Sequence, residues 1–137
     1  MEPIIISTGD PAGIGPEVTL LAIQKLTNHP PIVLITSPAI TNDSYYSNIC
    51  PNLKPFDPNN LSNNTIYYKY VDTNTQIEKT PDNKTNATIA YQCIINAVEL
   101  IKANNYKYLV TAPISKIGCH NANIKISGHT TLLQSLF

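Results

Sequence analysis

The fold is decided by one stretch near the N-terminus, Thr8-Gly9-Asp10-Pro11-Ala12-Gly13-Ile14-Gly15-Pro16-Glu17. It follows an apolar run at residues 4–6 and precedes an amphipathic segment that begins near Val18, which indicates a strand, a tight turn and a helix. Its glycines permit backbone conformations that other residues rarely adopt. Because open α/β sheets bind ligands at the carboxyl ends of their strands, this loop is a candidate binding site. A turn that only joins a strand to a helix explains it equally well.

The glycine pattern matches neither of two common phosphate-binding motifs. Gly13 and Gly15 supply the first two glycines of the dinucleotide fingerprint G-x-G-x-x-G, but Val18 stands at the third position. The pattern G-x-x-x-x-G-K-[ST] does not occur in the sequence either, which excludes a P-loop. With Asp10 and Glu17 beside them, the glycines do not form a plain phosphate cradle.

Composition narrows the class of protein. The 137 residues are enough for one domain with a hydrophobic core. Nine basic and nine acidic residues give a net charge of zero, which supports neither nucleic acid nor an anionic membrane surface as a partner. The N-terminus Met1-Glu2-Pro3 lacks a basic flank and a long apolar run, so it is not expected to be a signal peptide, and no apolar run approaches the roughly 18 residues of a membrane span. Three cysteines without C-x-x-C spacing predict reduced thiols and a cytoplasmic protein.

Apolar runs predict the strands of a buried parallel sheet at residues 3–7, 32–36, 66–71 and 108–111. The first helix lies between the first two runs, which predicts a βαβ unit with a right-handed crossover. Its apolar face is predicted from helical spacing to consist of Val18, Leu21, Ala22 and Leu26.

The clearest helix is predicted over residues 86–103, where apolar residues recur at helical spacing throughout. Thr85 is the predicted N-cap, and Asn104-Asn105 is the predicted end. Cys93 flanks the apolar stripe, so we expect a core thiol rather than a reactive one.

The remaining segments are weakly patterned. Residues 37–64 are expected to form loop with short helical pieces, and residues 72–84 an exposed polar excursion. A last helix is expected to begin after Thr130 or Thr131 as its cap, and the chain ends shortly after it starts. Such a short helix is marginal without packing, so we expect the chain to be the front part of a larger protein.

His129 is the best single candidate for a functional residue. It follows Gly128 and precedes Thr130 at a predicted loop-to-helix junction, where an imidazole could donate to a substrate oxygen and the helix N-terminus adds a free N–H. A histidine that caps its own backbone is equally consistent with the sequence. His29 and His120 are expected to be exposed, and no histidine spacing is typical of a metal site, so we see no complete metal site in this chain.

Lys116 and Asp10 are the charged candidates at predicted strand ends. Lys116 follows the turn Thr111-Ala112-Pro113, where its ammonium could meet a phosphate or a carboxylate, although a surface lysine is the simpler interpretation. Asp10 could pair with Lys116 or orient a ribose hydroxyl, or it could be an Asx-turn residue before Pro11.

Taken together, three segments resemble 4-hydroxythreonine-4-phosphate dehydrogenase of vitamin B6 biosynthesis. They are the opening motif at residues 9–17, the turn Val110-Thr111-Ala112-Pro113-Ile114-Ser115-Lys116, and Gly128-His129-Thr130, in that order. The resemblance covers most of the chain and is weak at residues 37–84. One departure is Thr131, which stands where the family usually has Glu; another is the absence, in residues 83–87, of the glycine often found before the long helix.

The resemblance implies an α/β fold like that of isopropylmalate and isocitrate dehydrogenases, here truncated. It implies NAD-dependent oxidation of a small phosphorylated amino acid, 4-hydroxythreonine 4-phosphate, to a 2-amino-3-oxo acid that then loses its carboxylate. It also implies a divalent metal (Zn, Mg or Co) that polarises the substrate oxygen, and a homodimer with the active site at the subunit interface.

Residue by residue, the resemblance makes His129 and Thr130 the substrate-binding pair. It places the metal-binding histidines beyond the end of this chain, so residues 1–137 correspond to the N-terminal part of the dehydrogenase and the chain alone is expected to be inactive. Lys116 is added as a substrate-binding candidate, and Asp10, Gly13 and Gly15 as cofactor-proximal candidates.

Two other interpretations stay open at this point. The chain could be a non-catalytic α/β module that binds a phosphorylated metabolite, or a non-functional remnant that folds poorly.

Overall fold

The four predicted apolar runs and one short further strand form a five-stranded parallel sheet in this computed structural model, which describes residues 1–71, 77, 80 and 82–137. The strands are β1 (Ile4–Ser7), β2 (Ile32–Thr36), β3 (Lys54–Pro55), β4 (Ile66–Tyr70) and β5 (Tyr108–Thr111). Their order across the sheet is β3-β4-β2-β1-β5. All the carboxyl ends therefore lie at one edge of the sheet, as the candidate binding loops require.

Six helices connect and follow the strands in the described part of the chain. They are α1 (Gly15–Gln24), α2 (Pro38–Thr41), α3 (Ser44–Ile49), α4 (Lys84–Asn104), α5 (Lys116–Asn121) and α6 (His129–Leu136). The short α2 and α3 confirm the prediction of helical pieces in residues 37–64. The predicted polar excursion at 72–84 lies mostly outside the described residues. None of these helices is long and apolar enough to cross a membrane.

Two apolar clusters lie on opposite faces of the sheet. One joins β1, β2 and β4 to α4 through residues that include Ile5, Val33 and Cys93. The other joins the same sheet to α1 through residues that include Ile6, Leu20 and Ile23. Cys93 is 1% exposed, which confirms the prediction of a core thiol.

The N-cap of α4 differs from the prediction. Asn83, not Thr85, is the cap, and its side-chain oxygen accepts hydrogen bonds from the N–H groups of Thr85 (2.8 Å) and Asn86 (3.2 Å). Thr85 thus lies inside the first turn. The predicted end is confirmed, because Asn105 adopts a left-handed conformation with φ 55° as the C-cap.

The apolar face predicted for α1 is also wrong. The helix packs on the sheet with Leu20 and Ile23, whereas Val18 and Leu26 are 54% and 48% exposed. Apolar residues lie on more than one side of this helix, so the spacing alone could not select the packed side.

Strand β5 was predicted to be buried, and it lies at the edge of the sheet instead. Tyr108 and Val110 are 55% and 51% exposed, while Leu109, between them, packs against the α4 cluster. An apolar run indicates a strand but does not state its place in the sheet order.

Candidate functional site

The loops that follow β1 and β5 are in direct backbone contact at the carboxyl edge of the sheet. The N–H of Asp10 donates to the carbonyl oxygen of Pro113 at 3.0 Å. A β-carbon on Gly9, which has φ +76°, would lie 2.3 Å from that same oxygen. A β-carbon on Gly15 would lie 2.5 Å from the carbonyl oxygen of Thr8. Both glycines are therefore required by the packing of the chain on itself.

Asp10 forms the Asx turn that was one interpretation of the sequence. Its Oδ1 accepts a hydrogen bond from the N–H of Ala12 at 2.9 Å, and its carbonyl oxygen accepts one from Gly13 at 3.0 Å. These two N–H groups are thus not available to a phosphate. Asp10 and Lys116 form no ion pair, although both belong to the described part of the chain. The carboxylate instead lies near Cys119, whose pKa is raised by burial and, secondarily, by the charge of Asp10.

Helix α5 is fixed in place by its cap, Ser115. The Ser115 hydroxyl accepts a hydrogen bond from the N–H of Gly118 at 2.8 Å and donates one to Oδ1 of Asp82 at 2.5 Å. Gly118 packs closely on α4, because a β-carbon there would lie 3.0 Å from Cβ of Ala87. This arrangement holds the first residue of α5, Lys116, at the carboxyl edge of the sheet.

Lys116 reaches from α5 to the start of α6. A β-carbon placed on Gly128 would lie 3.9 Å from Nζ of Lys116 and 4.0 Å from Cε. Gly128 is the residue before the first helical residue, His129, and no side chain of the described chain caps this helix. An ammonium group and an uncapped helix N-terminus are therefore neighbours, and both favour an anion.

The side chains of the first turn of α6 have different surroundings. Thr130 is exposed, so its hydroxyl is open to a ligand. The expectation that Thr130 or Thr131 caps this helix is wrong, because Gly128 is at the cap position. The Thr131 hydroxyl donates to the carbonyl oxygen of Gly128 at 3.2 Å and lies 2.6 Å from Oγ of Ser127. His129 is half-buried, and its Nε2 is enclosed without a hydrogen-bond partner among the described residues. A buried polar atom without a partner costs free energy, which a suitable ligand group would recover.

The other two histidines lie apart from this site. His120 is exposed as expected, on α5. His29 is half-buried rather than exposed, and its Nδ1 lies 2.6 Å from the carbonyl oxygen of Pro30.

The described residues do not form a metal site. No group of three or more His, Cys, Asp or Glu side chains among them could hold a metal ion. Any step that depends on a metal therefore needs ligands from outside this set of residues.

The family follows from comparison with known proteins. A family model described as "Pyridoxal phosphate biosynthetic protein PdxA" matches residues 27–137. The chain belongs to this family. The match begins just after α1 and covers all the later strands and helices, including the site formed by Lys116 and α6. It confirms the resemblance on which the sequence analysis relied.

Individual PdxA relatives match nearly the whole chain. The D-threonate 4-phosphate dehydrogenase of Salmonella typhimurium is 30% identical over 97% of this chain and 43% of its own length. The 4-hydroxythreonine-4-phosphate dehydrogenase of Pseudomonas syringae pv. tomato is 25% identical over 96% of this chain and 41% of its own. The crystal structure of 4-hydroxythreonine-4-phosphate dehydrogenase from Klebsiella pneumoniae superposes with a TM-score of 0.81 at 26% identity, covering 98% of this chain and 43% of that one.

These matches bear on the fold of this PdxA chain and on its length. The α/β fold predicted from the sequence is confirmed. The chain spans less than half the length of the relatives it matches.

Sequence reasoning found Lys116, His129 and Thr130, which the structure brings to one corner, but missed the residues that support them. Serine is a preferred N-cap residue, so Ser115 before α5 could have been recognised as a helix start. Asp82 could not have been found, because it lies 33 residues from Ser115 and no local pattern connects them.

Proposed function

We propose that this chain forms the substrate-binding part of a dehydrogenase that oxidises 4-hydroxythreonine 4-phosphate in vitamin B6 biosynthesis. The secondary alcohol loses a hydride and a proton to become a ketone. The carboxylate of the resulting 2-amino-3-oxo acid then leaves as CO2, and the carbon that carried it keeps the electron pair and takes up a proton. NAD supplies the hydride acceptor when it is bound. The names of the relatives support this reaction class, since they describe dehydrogenases of phosphorylated four-carbon hydroxy acids.

The observation that carries the proposal is the position of Nζ of Lys116 beside the uncapped start of α6. A lysine is a point charge suited to a phosphate or carboxylate, and a helix N-terminus offers N–H groups to the same anion. The exposed hydroxyl of Thr130 and the imidazole of His129 add hydrogen-bonding groups at the same place. We therefore assign an anionic group of the substrate to this corner.

The cofactor is assigned to the neighbouring loop with Asp10, Gly13 and Gly15. Ala12, Gly13 and Ile14 are exposed at its tip. Because the N–H groups of Ala12 and Gly13 already bind Asp10, the tip offers NAD a contact surface rather than a pyrophosphate cradle. The phosphates of NAD then bind elsewhere in the assembled enzyme.

The complete enzyme needs more than these residues. A divalent metal in the complete enzyme (Zn, Mg or Co) would bind ligands outside the described residues, and the subunit interface of a homodimer would complete the site. We place that enzyme in the cytoplasm, in line with its unpaired cysteines. The 137-residue chain is expected to form no NADH when it is mixed with NAD, a divalent metal and either 4-hydroxythreonine 4-phosphate or D-threonate 4-phosphate.

Calorimetry on the same chain tests the binding assignment directly. We expect 4-hydroxythreonine 4-phosphate to bind without added metal, and Thr130→Val to weaken it about tenfold, because a hydrogen bond to a charged group is worth about 1.5 kcal/mol. Thr88→Val is the matched control, since Thr88 is exposed on α4 and its hydroxyl binds the backbone of Lys84. Equal affinities of wild type and Thr130→Val would remove Thr130 from the site. A second titration with D-threonate 4-phosphate compares the substrates named for the two relatives.

A further inference from the structure

Asp82 contacts both ends of helix α5. Its Oδ1 accepts a hydrogen bond from the Ser115 hydroxyl at 2.5 Å, at the start of the helix. Its carbonyl oxygen accepts one from Nδ2 of Asn121 at 3.3 Å, at the last residue of the helix. Because α5 has only six residues and so short a helix is marginal by itself, these contacts and the packing on α4 fix where it lies.

The Ser115 hydroxyl has a single proton, and Asp82 determines where that proton points. Since it points to the carboxylate, Oγ is held with a lone pair towards the N–H of Gly118, which it accepts at 2.8 Å. A hydrogen bond to an ionised group is roughly twice as strong as a neutral one, and it polarises the hydroxyl into a better acceptor. Without the carboxylate, the hydroxyl could rotate away from the helix. Asp82 therefore strengthens the N-cap of α5.

The backbone of Asp82 is in the left-handed region, with φ 56°. Few residues other than glycine, asparagine and aspartate adopt this conformation. The other described residues with positive φ, glycine apart, are all asparagines, namely Asn64, Asn105 and Asn123. The turn at position 82 therefore does not itself require a carboxylate, whereas the contact with Ser115 uses one.

Lys116 directly follows the cap and is the first residue of α5. Its side chain is exposed and belongs to neither apolar cluster of the described residues, so the backbone of α5 sets its place. Its Nζ would lie 3.9 Å from a β-carbon on Gly128, at the start of α6. Because Asp82 fixes the cap, the position of this ammonium group depends on Asp82.

We propose that Asp82 is a positioning residue, which through Ser115 holds Lys116 beside the start of α6 and so raises the affinity for the anionic group of the substrate. The inference rests on the proposed function, because it takes this corner as the place where that group binds. A ligand that binds only the ordered arrangement loses affinity in proportion to the fraction of chains that hold it. A carboxylate that acted directly on the anion would instead repel it. Removal of Asp82 therefore weakens binding if it positions Lys116 and tightens binding if it only repels.

Calorimetry with 4-hydroxythreonine 4-phosphate compares variants of the 137-residue chain. Asp82→Gly removes the carboxylate without backbone strain and should weaken binding about fivefold, the effect of one lost hydrogen bond. Asp82→Asn keeps an acceptor for the Ser115 hydroxyl and should restore the affinity to within about twofold of wild type. Asp57→Gly is the matched control and should have no effect, since Asp57 is exposed beyond β3 and forms its own turn with Asn59.

Two further measurements test whether Asp82 acts through Ser115. In a Ser115→Ala background, Asp82→Gly should cause no further loss of affinity, because the contact is already absent. In the ligand-free chain, Asp82→Gly should speed hydrogen exchange at the amides of Gly118 and Cys119 about fivefold, because both bind Ser115. The amides of β1 should exchange at the wild-type rate, which would show that the sheet is intact.

The proposal would be overturned by unchanged or tighter binding in Asp82→Gly, or by equal losses in Asp82→Gly and Asp82→Asn. A full additional loss in the Ser115→Ala background would also overturn it, because Asp82 would then act by another route. Absence of binding by the wild-type chain would refute the proposed function instead. The exchange rates of Gly118 and Cys119 would then decide about Asp82 without a ligand, and rates equal to those of wild type would exclude the positioning role.

Discussion

Gly9 and Pro113 belong to loops that follow different strands, and their backbones touch. A β-carbon on Gly9 would lie 2.3 Å from the carbonyl oxygen of Pro113, and the φ of Gly9 is +76°. An alanine here would meet both a steric clash and a left-handed backbone, which cost about 1–3 and 1–2 kcal/mol respectively. The contact joins the two loops on which the candidate site is built.

We therefore expect Gly9→Ala to lower the free energy of unfolding by about 3 kcal/mol, combining the two costs. Urea denaturation followed by circular dichroism measures it. Gly13→Ala is the control, because Gly13 is exposed and a β-carbon there would lie 3.3 Å from Cβ of Asp10. If the two variants were equally stable, the contact with Pro113 would not constrain the loop.

The cap of α4 gives a second prediction. Asn83→Ala should lower the free energy of unfolding by about 1 kcal/mol, because it removes the acceptor for two N–H groups at the start of the helix. Thr85→Ala should change it by less than about 0.5 kcal/mol, since alanine is a good helix former at that position. The reverse order of the two effects, measured in urea, would restore Thr85 as the cap.

The charge at the start of α6 gives a third prediction. Lys116→Met should weaken the binding of 4-hydroxythreonine 4-phosphate about tenfold in calorimetry, because charge-assisted contacts are worth about 1.5 kcal/mol. The loss should shrink as salt rises, since salt screens exposed charges. Lys25→Met removes the same charge from an exposed position beyond α1 and should have no effect. Equal losses in the two variants would point to net charge rather than to this site.

The buried thiol of Cys93 gives a prediction about alkaline pH. Burial raises the pKa of Cys93 from its ordinary value of 9.0 to about 12. Between these two pH values the unfolded chain gives up the thiol proton while the folded chain keeps it, so the unfolded state binds fewer protons and stability falls as pH rises. The contribution is fully present below pH 9 and is lost towards pH 12.

Urea denaturation between pH 8 and pH 11 measures this effect. The wild-type chain should lose up to about 1.4 kcal/mol per pH unit through this thiol, and Cys93→Ala should lack that part of the slope. Parallel pH profiles for the two proteins would show that Cys93 titrates alike in both states.

The sequence predicted the long helix α4 and all the described strands except β3, because short apolar runs and helical spacing are local signals, whereas Lys54–Pro55 is not an apolar run. It did not predict which side of α1 packs, since Val18 and Leu20 are equally apolar and only the sheet selects between them. The edge position of β5 is likewise set by strand order. That order depends on contacts between distant segments rather than on residues 108–111 themselves.

The candidate site was predictable to a similar degree. Lys116 and His129 could be chosen because each follows a turn at the end of an element, where ligands bind in α/β folds. Their proximity could not be deduced, because it depends on how α5 is held by Ser115 and Asp82. Nor could the sequence show that the N–H groups of the glycine loop are already occupied by Asp10.

The close backbone contacts of Gly9 and Gly15 affect how this protein would change during evolution. The need for both glycines comes from the packing of the backbone and does not depend on any activity. The presence of both glycines in a related sequence therefore indicates that the fold is kept, and it gives no information about activity. The side chains of Lys116 and His129 belong to neither apolar cluster of the described residues, so packing alone does not require these two side chains.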